Sequence, residues 1–221
     1  PSSAVRDERL QRGIEQIENR GYYVELGSHV FDQHGFLAGL DKHRADDLTQ
    51  FFLRDDIAAV FCARGGYGAM RMVDLIDWDA IRDRCKIFAG YSDITTLHLR
   101  IAREMKMVTF HGPVVTTLGG DLDASAAHCF WSILESDDPF GKYPQSDNVK
   151  TLNPGTASGR LAGGCIELLA DSIGTLEQPD FTSCIVLLED VGEKAYQVDR
   201  QLVQMIRARL FDGAAGIVVG T

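Results

Sequence analysis

Two hydrophobic patterns alternate along the chain, apolar positions at helical spacing and short unbroken apolar runs. Leu10, Ile14 and Ile17 keep helical spacing up to Gly21, with Ser2 or Ser3 placed to cap the helix they predict. Residues 22–26 then read as a strand. A turn-rich segment with Gly27, Gly35 and Gly39 leads into a helix over about 41–53 and a short buried strand over 57–63. The loop Arg64-Gly65-Gly66-Tyr67-Gly68 follows, then a helix over 69–76, a strand over 86–89 and a helix over 94–105. Such alternation favours a parallel sheet with helices on both faces.

Between about 135 and 159 the texture changes to Ser, Asp, Pro, Gly and Asn, including Asp137-Asp138-Pro139 and Asn153-Pro154-Gly155. Beyond it, Gly159-Arg160-Leu161-Ala162-Gly163-Gly164 leads into a helix over 165–172. Residues 183–189 form a buried strand with a carboxylate at its end, and 196–210 an amphipathic helix whose stripe is Val198, Leu202, Ile206 and Leu210. The expected fold class is therefore α/β, with an N-terminal parallel-sheet domain over 1–135 and a linker over 136–158. A second α/β domain over 159–221 reads as incomplete. The start at Pro1 without a methionine, and the stop at Thr221 directly after the strand-like run 215–220, suggest a fragment.

Composition narrows the functions open to this fold. With 221 residues, of which 45% are hydrophobic, the chain can bury a substantial core. A formal net charge of -10 argues against a nucleic-acid or anionic-membrane surface, which would need clustered Lys and Arg, so a small molecule or peptide is the better ligand. Cys62, Cys85, Cys129, Cys165 and Cys184 are scattered and lack Cys-x-x-Cys spacing, which fits buried thiols in a reducing compartment. No metal or cofactor is expected. No apolar stretch approaches the roughly 20 residues that a membrane helix requires.

Candidate chemistry centres on Gly90-Tyr91-Ser92-Asp93, where an apolar run breaks before a helix. Ser92 on such a turn has two readings, a helix cap or a nucleophile lifted clear of its strand beside the free amides of the helix start. The usual Gly-x-Ser-x-Gly is absent, since Ile94 stands at plus two. In a parallel sheet, loops leaving the carboxyl ends of neighbouring strands share one edge, which puts the glycine loop beside Ser92. Gly65 or Gly66 and the Asp93 amide could then stabilise an oxyanion, or the glycines simply make a tight turn. Glu189 is either a surface residue or the carboxylate that orients a histidine, with Glu193 its rival. His98, six residues after Ser92, is turned away from the hydroxyl by helical geometry. His111 is the better internal candidate, with a structural or substrate-contact role favoured. His29, His34, His43 and His128 read as surface residues. A different class, a non-catalytic anion-binding domain, lacks the Gly-x-x-x-x-Gly-Lys and Gly-x-Gly-x-x-Gly patterns it would need.

Several segments together resemble the LD-carboxypeptidase family of serine peptidases, which includes the microcin-immunity peptidases. They are Pro1-Ser2-Ser3, Arg64-Gly65-Gly66-Tyr67-Gly68, Gly90-Tyr91-Ser92-Asp93-Ile94-Thr95, Phe110-His111-Gly112-Pro113, the 159–164 segment, and Leu188-Glu189-Asp190-Val191-Gly192-Glu193 followed by Tyr196 and Asp199-Arg200. They stand in the family's order over nearly the whole chain. The resemblance implies a metal-independent Ser-Glu-His peptidase with Ser92 as nucleophile, Glu189 as triad carboxylate and the amides at Gly66 and Asp93 as oxyanion hole. It implies hydrolysis of the amide before a terminal D-residue, releasing D-alanine from cytoplasmic muropeptides in cell-wall recycling, or, in the immunity branch, cleavage of a peptidyl-nucleotide. It also implies a homodimer, and a triad histidine beyond Thr221, so that these residues alone would have little activity. Arg64, Tyr67 and His111 are the expected substrate contacts.

Overall fold

The computed structural model describes residues 2–5, 7–120, 122–138, 141 and 149–220. Pro1, Pro139 and Thr221, with part of the expected linker, lie outside the described residues. In chain order the elements are α1 (Asp7–Glu18), α2 (Asp41–Leu53), β1 (Ala59–Phe61), α3 (Ala69–Met72), α4 (Trp78–Ile81), β2 (Ile87–Gly90), α5 (Thr95–Glu104), β3 (Phe110–His111), α6 (Val115–Leu118) and α7 (Ala124–Glu135). They continue with β4 (Arg160–Cys165), α8 (Ile166–Asp171), β5 (Cys184–Glu189), α9 (Ala195–Arg207) and β6 (Gly216–Val219).

Among the described residues two parallel three-stranded sheets result, ordered β1-β2-β3 and β4-β5-β6. Strand alternation sends Val60 and Phe88 to one face of the first sheet, against Phe52 of α2, Met72 of α3, Ile81 of α4 and Leu97 and Ile101 of α5. Phe61 and Ala89 face the other way, against Leu10 and Ile14 of α1, Val115 of α6 and Trp131 of α7. Helices therefore cover both faces, as the alternation implied. In the second sheet Cys184, Val186 and Leu188 are buried with Leu169 of α8 and Met205 of α9.

Helix α5 joins the two halves. Fully buried Thr95 accepts the Cys165 N–H at its Oγ1 (3.1 Å), and Gly164 (φ +146) packs so closely that a Cβ there would lie 2.7 Å from Thr95. The Arg100 guanidinium, 8% exposed, donates to Glu177 at 2.7 Å and pairs with Glu104 and Asp74. Burial opposes that charge, yet the three carboxylates leave it held above its ordinary pKa.

Local signals misled the sequence reading at four places. Residues 22–26 carry no strand and pair with none; Val24 and Leu26, with Val60 and Phe61 of β1, line a mainly apolar cavity of about 460 Å3. Neither Ser2 nor Ser3 caps α1, which begins at Asp7; Ser2 is fully buried and Ser3 bonds the glycine loop. The 159–164 segment is largely the strand β4, which the sequence reading did not mark, although it leads directly into helix α8 as expected. Along α9 the buried stripe runs Val198, Leu202 and Met205, while Ile206 is 62% exposed and Leu210 packs after the helix has ended.

Candidate active site

Strand β2 ends at Gly90, and the chain turns at Tyr91 through a short 3-10 segment, Ser92–Ile94, into α5. Ser92 holds φ +63, a left-handed conformation that a residue with a Cβ adopts only when its surroundings enforce it. A strained strand-to-helix turn of this kind presents a hydroxyl at the top of a sheet. Gly90 has to be small here, because a Cβ on it would lie 2.9 Å from Ile94 of the same turn.

The glycine loop closes over that turn. A Cβ on Gly65 would lie 3.3 Å from the Cβ of Ser92, and one on Gly66 (φ +113) would lie 2.3 Å from the Ser3 hydroxyl. Ser3 explains the close fit, since its N–H donates to the Gly65 carbonyl (3.2 Å) and its Oγ accepts the Tyr67 N–H (3.2 Å). The loop is also fixed from beneath. The Asp93 carboxylate, 2% exposed, accepts the Ala69 N–H at 2.8 Å, and Arg44 donates to the Gly68 carbonyl at 2.9 Å. Burial pushes the Asp93 carboxyl above its ordinary range, against the opposing pull of that amide. Asp93 thus ties the glycine loop to the Ser92 turn through its side chain, a role its position in the motif did not announce.

A pocket of about 350 Å3 opens on Ser92, with Arg64, Gly65, Gly66 and Tyr91 among its walls and Arg9 at its rim. Arg9, an exposed residue of α1, was not singled out in the sequence; nothing in its helical context marked it. Arg64 spends one amino group on the Ala4 carbonyl (2.7 Å). Tyr67 is not among the lining residues; its half-exposed ring instead meets Phe36 at 5.7 Å.

Glu189 ends β5 and His111 ends β3, and the two meet. His111 Nε2 lies 3.4 Å from Glu189 Oε2, an ion-pair distance whose geometry falls short of a hydrogen bond. Register places His111 beside Gly90, and its ring packs edge-on to Tyr91, the neighbour of Ser92. His98 is buried and donates from Nε2 to the Gly90 carbonyl (2.8 Å), which occupies that nitrogen. Desolvation pushes its pKa down to about 4. Glu193 is half-buried beyond the positive-φ turn at Gly192. The five cysteines are free thiols, and burial pushes Cys62 and Cys165 up to about 12. Among the described residues no helix is long and apolar enough to cross a membrane.

Comparison with known proteins adds the family context. The LD-carboxypeptidase N-terminal domain model matches residues 1–112, and the LD-carboxypeptidase C-terminal domain model matches 158–221. A Bacillus subtilis protein named "probable murein peptide carboxypeptidase" is 37% identical over 99% of this chain and 69% of its own length. The murein tetrapeptide carboxypeptidase of Pseudomonas aeruginosa is 29% identical over 94% of this chain and 70% of its own. Among solved structures, muramoyltetrapeptide carboxypeptidase from Oxalobacter formigenes superposes with a TM-score of 0.85 at 28% identity, covering 100% of this chain and 74% of that one. The microcin C7 self-immunity protein, at 24% identity and a TM-score of 0.85, shares the fold.

Proposed function

This chain belongs to the LD-carboxypeptidase family of serine peptidases, and from that premise we propose that it releases a terminal D-alanine from murein peptides by hydrolysing the amide that follows an L-configured centre. The observation that carries the reading is Ser92, held at φ +63 on a strand-to-helix turn with Gly65 packed against it and Gly66 lining the same pocket.

In this reading Ser92 Oγ attacks the scissile carbonyl, and the oxyanion that forms is held by the amides of Gly66 and Asp93. Collapse of that intermediate expels the D-amino acid, whose nitrogen takes the proton lost by the serine, and leaves an acyl-enzyme ester that water hydrolyses. Glu189 orients the histidine that moves the proton, which the family resemblance assigns downstream of the Leu188 to Glu193 motif. His111 is given the part of holding Glu189. Arg64 and Arg9 bring positive charge to the Ser92 pocket, which suits a substrate ending in a carboxylate. The same reading assigns the protein to the cytoplasm as a homodimer, with residues 1–135 and 159–221 as its two domains.

The test is Ser92→Ala in the natural-length protein, followed by the rate of D-alanine release from a muropeptide tetrapeptide. A loss of about 10⁴-fold or more is expected. An unchanged rate overturns the assignment. A peptidyl-nucleotide offered to the unaltered enzyme separates this activity from the immunity type, since preferential cleavage of the nucleotide would contradict murein peptide as substrate.

A further inference from the structure

Away from the Ser92 pocket, the segment 28–43 folds back on itself and brings together three side chains that the sequence scatters. His29 and His43 face each other with ring centroids 4.2 Å apart and planes tilted by 31°. Asp32 approaches the same point, with its Oδ2 3.3 Å from His43 Nδ1. One donor atom from each of His29, Asp32 and His43 lies within 4.8 Å of the other two. We propose that these three residues form a binding site for a divalent transition-metal ion, with Zn²⁺ the best match.

Donor chemistry selects the ion. Two imidazoles and one carboxylate form a borderline set that suits zinc and its neighbours, whereas calcium and magnesium favour all-oxygen ligands. Zinc bound at about 2.0–2.2 Å from each donor holds tetrahedral ligands roughly 3.4 Å apart, so side-chain rotations of about an ångström complete the site. All three side chains are about one-third exposed or more, which leaves room for water in the fourth position.

The surroundings are built to hold this geometry. Asp47, one-fifth exposed, accepts from His29 twice, at Nδ1 (2.8 Å) and at the backbone N–H (2.9 Å). That fixes the imidazole with Nε2 as the free ligand atom, the carboxylate–histidine arrangement that orients metal-binding histidines. The turn at Gly39 (φ +78) presses on Asp32 so closely that a Cβ there would lie 2.6 Å from the Asp32 Cβ.

The position of the site gives it a use. The segment carries Leu37, bridged to Ser3, and Phe36, whose ring meets Tyr67 of the glycine loop. An ion at His29, Asp32 and His43 would therefore stiffen the wall that supports Gly66, independently of which peptide the enzyme cuts.

The experiment is calorimetric titration of the metal-stripped, natural-length protein with Zn²⁺, repeated with Co²⁺ by visible absorption. One ion per chain is expected, with ligand-field bands that report nitrogen ligation. His43→Ala, a helix-compatible change on a partly exposed face, should weaken binding at least about tenfold while circular dichroism stays unchanged. Asp47→Asn, which removes no metal ligand, should weaken it by roughly 10–100-fold. Absence of binding by the unaltered protein would overturn the proposal and leave two ordinary histidine–carboxylate pairs. Undiminished binding by His43→Ala would also overturn it, placing the ion elsewhere, as at exposed Cys85.

Discussion

His111 and Glu189 face each other at 3.4 Å across the gap between the two sheets, each at the carboxyl end of its strand. The pair fixes where the second sheet's carboxylate stands relative to the Ser92 turn. A double-mutant cycle of His111→Ala and Glu189→Gln, followed by urea unfolding, should give a favourable coupling of roughly 0.5–3 kcal/mol. Strictly additive effects would show that the contact carries no energy.

Strain at Ser92 predicts an unusual ranking of substitutions. Glycine accepts φ +63 freely, while alanine keeps a penalty of about 1–2 kcal/mol, partly offset by glycine's greater freedom when unfolded. Ser92→Gly should therefore unfold at a higher denaturant concentration than Ser92→Ala, with both inactive. The reverse order would mean that the turn stores no strain.

At Gly66 a methyl group would meet the Ser3 hydroxyl as well as an unfavourable φ. Gly66→Ala is expected to cost about 1–3 kcal/mol and to slow turnover by moving the oxyanion donor. Part of the stability cost is steric, so Ser3→Gly combined with Gly66→Ala should destabilise by less than the sum of the two single changes. Simple addition in thermal melts would count against the contact.

Acid sensitivity should trace in part to His98. Its folded pKa of about 4 lies below the ordinary 6.5, so it is neutral in both states above pH 6.5 and its contribution is complete there. As pH falls from about 6.5 towards 4, the unfolded chain takes a proton that the fold refuses, and up to about 3 kcal/mol is lost. Asp93 works in the opposite direction, because burial raises its folded pKa and the fold takes its proton first. Comparison with His98→Gln, which keeps a donor for the Gly90 carbonyl and leaves Asp93 in place, isolates the histidine. The stability difference between wild type and His98→Gln should shift against the wild type between about pH 7 and pH 5. A constant difference would refute it.

What could be read from the sequence follows the range of each signal. The Ile87–Gly90 run and the helical spacing of Leu10, Ile14 and Ile17 are local and strong, and both elements formed as expected. Strand β4 was illegible because Gly163 and Gly164, at φ +130 and +146, replace the β-branched residues that mark a strand. Residues 22–26 read as a strand, but pairing depends on a neighbour that a local pattern cannot supply, and Val24 and Leu26 line a cavity instead. Ser3 looked like a cap because the capping signal is local, whereas its partners lie some sixty residues away. At the site, Ser92 and the glycine loop were legible as one constellation. The anchoring side chain of Asp93, the rim position of Arg9 and the meeting of His29 with His43 depend on tertiary packing and left no mark on spacing.

Arg100 has a consequence for how the molecule comes apart. It stands on α5, lies over the Trp78 ring and bonds Glu177 of the other half, so unfolding either half strands a charge the other had neutralised. The two sheets should therefore melt as one cooperative unit. Replacing Arg100 with methionine should cost about 3–5 kcal/mol and split a single calorimetric transition into two, the second sheet leaving first.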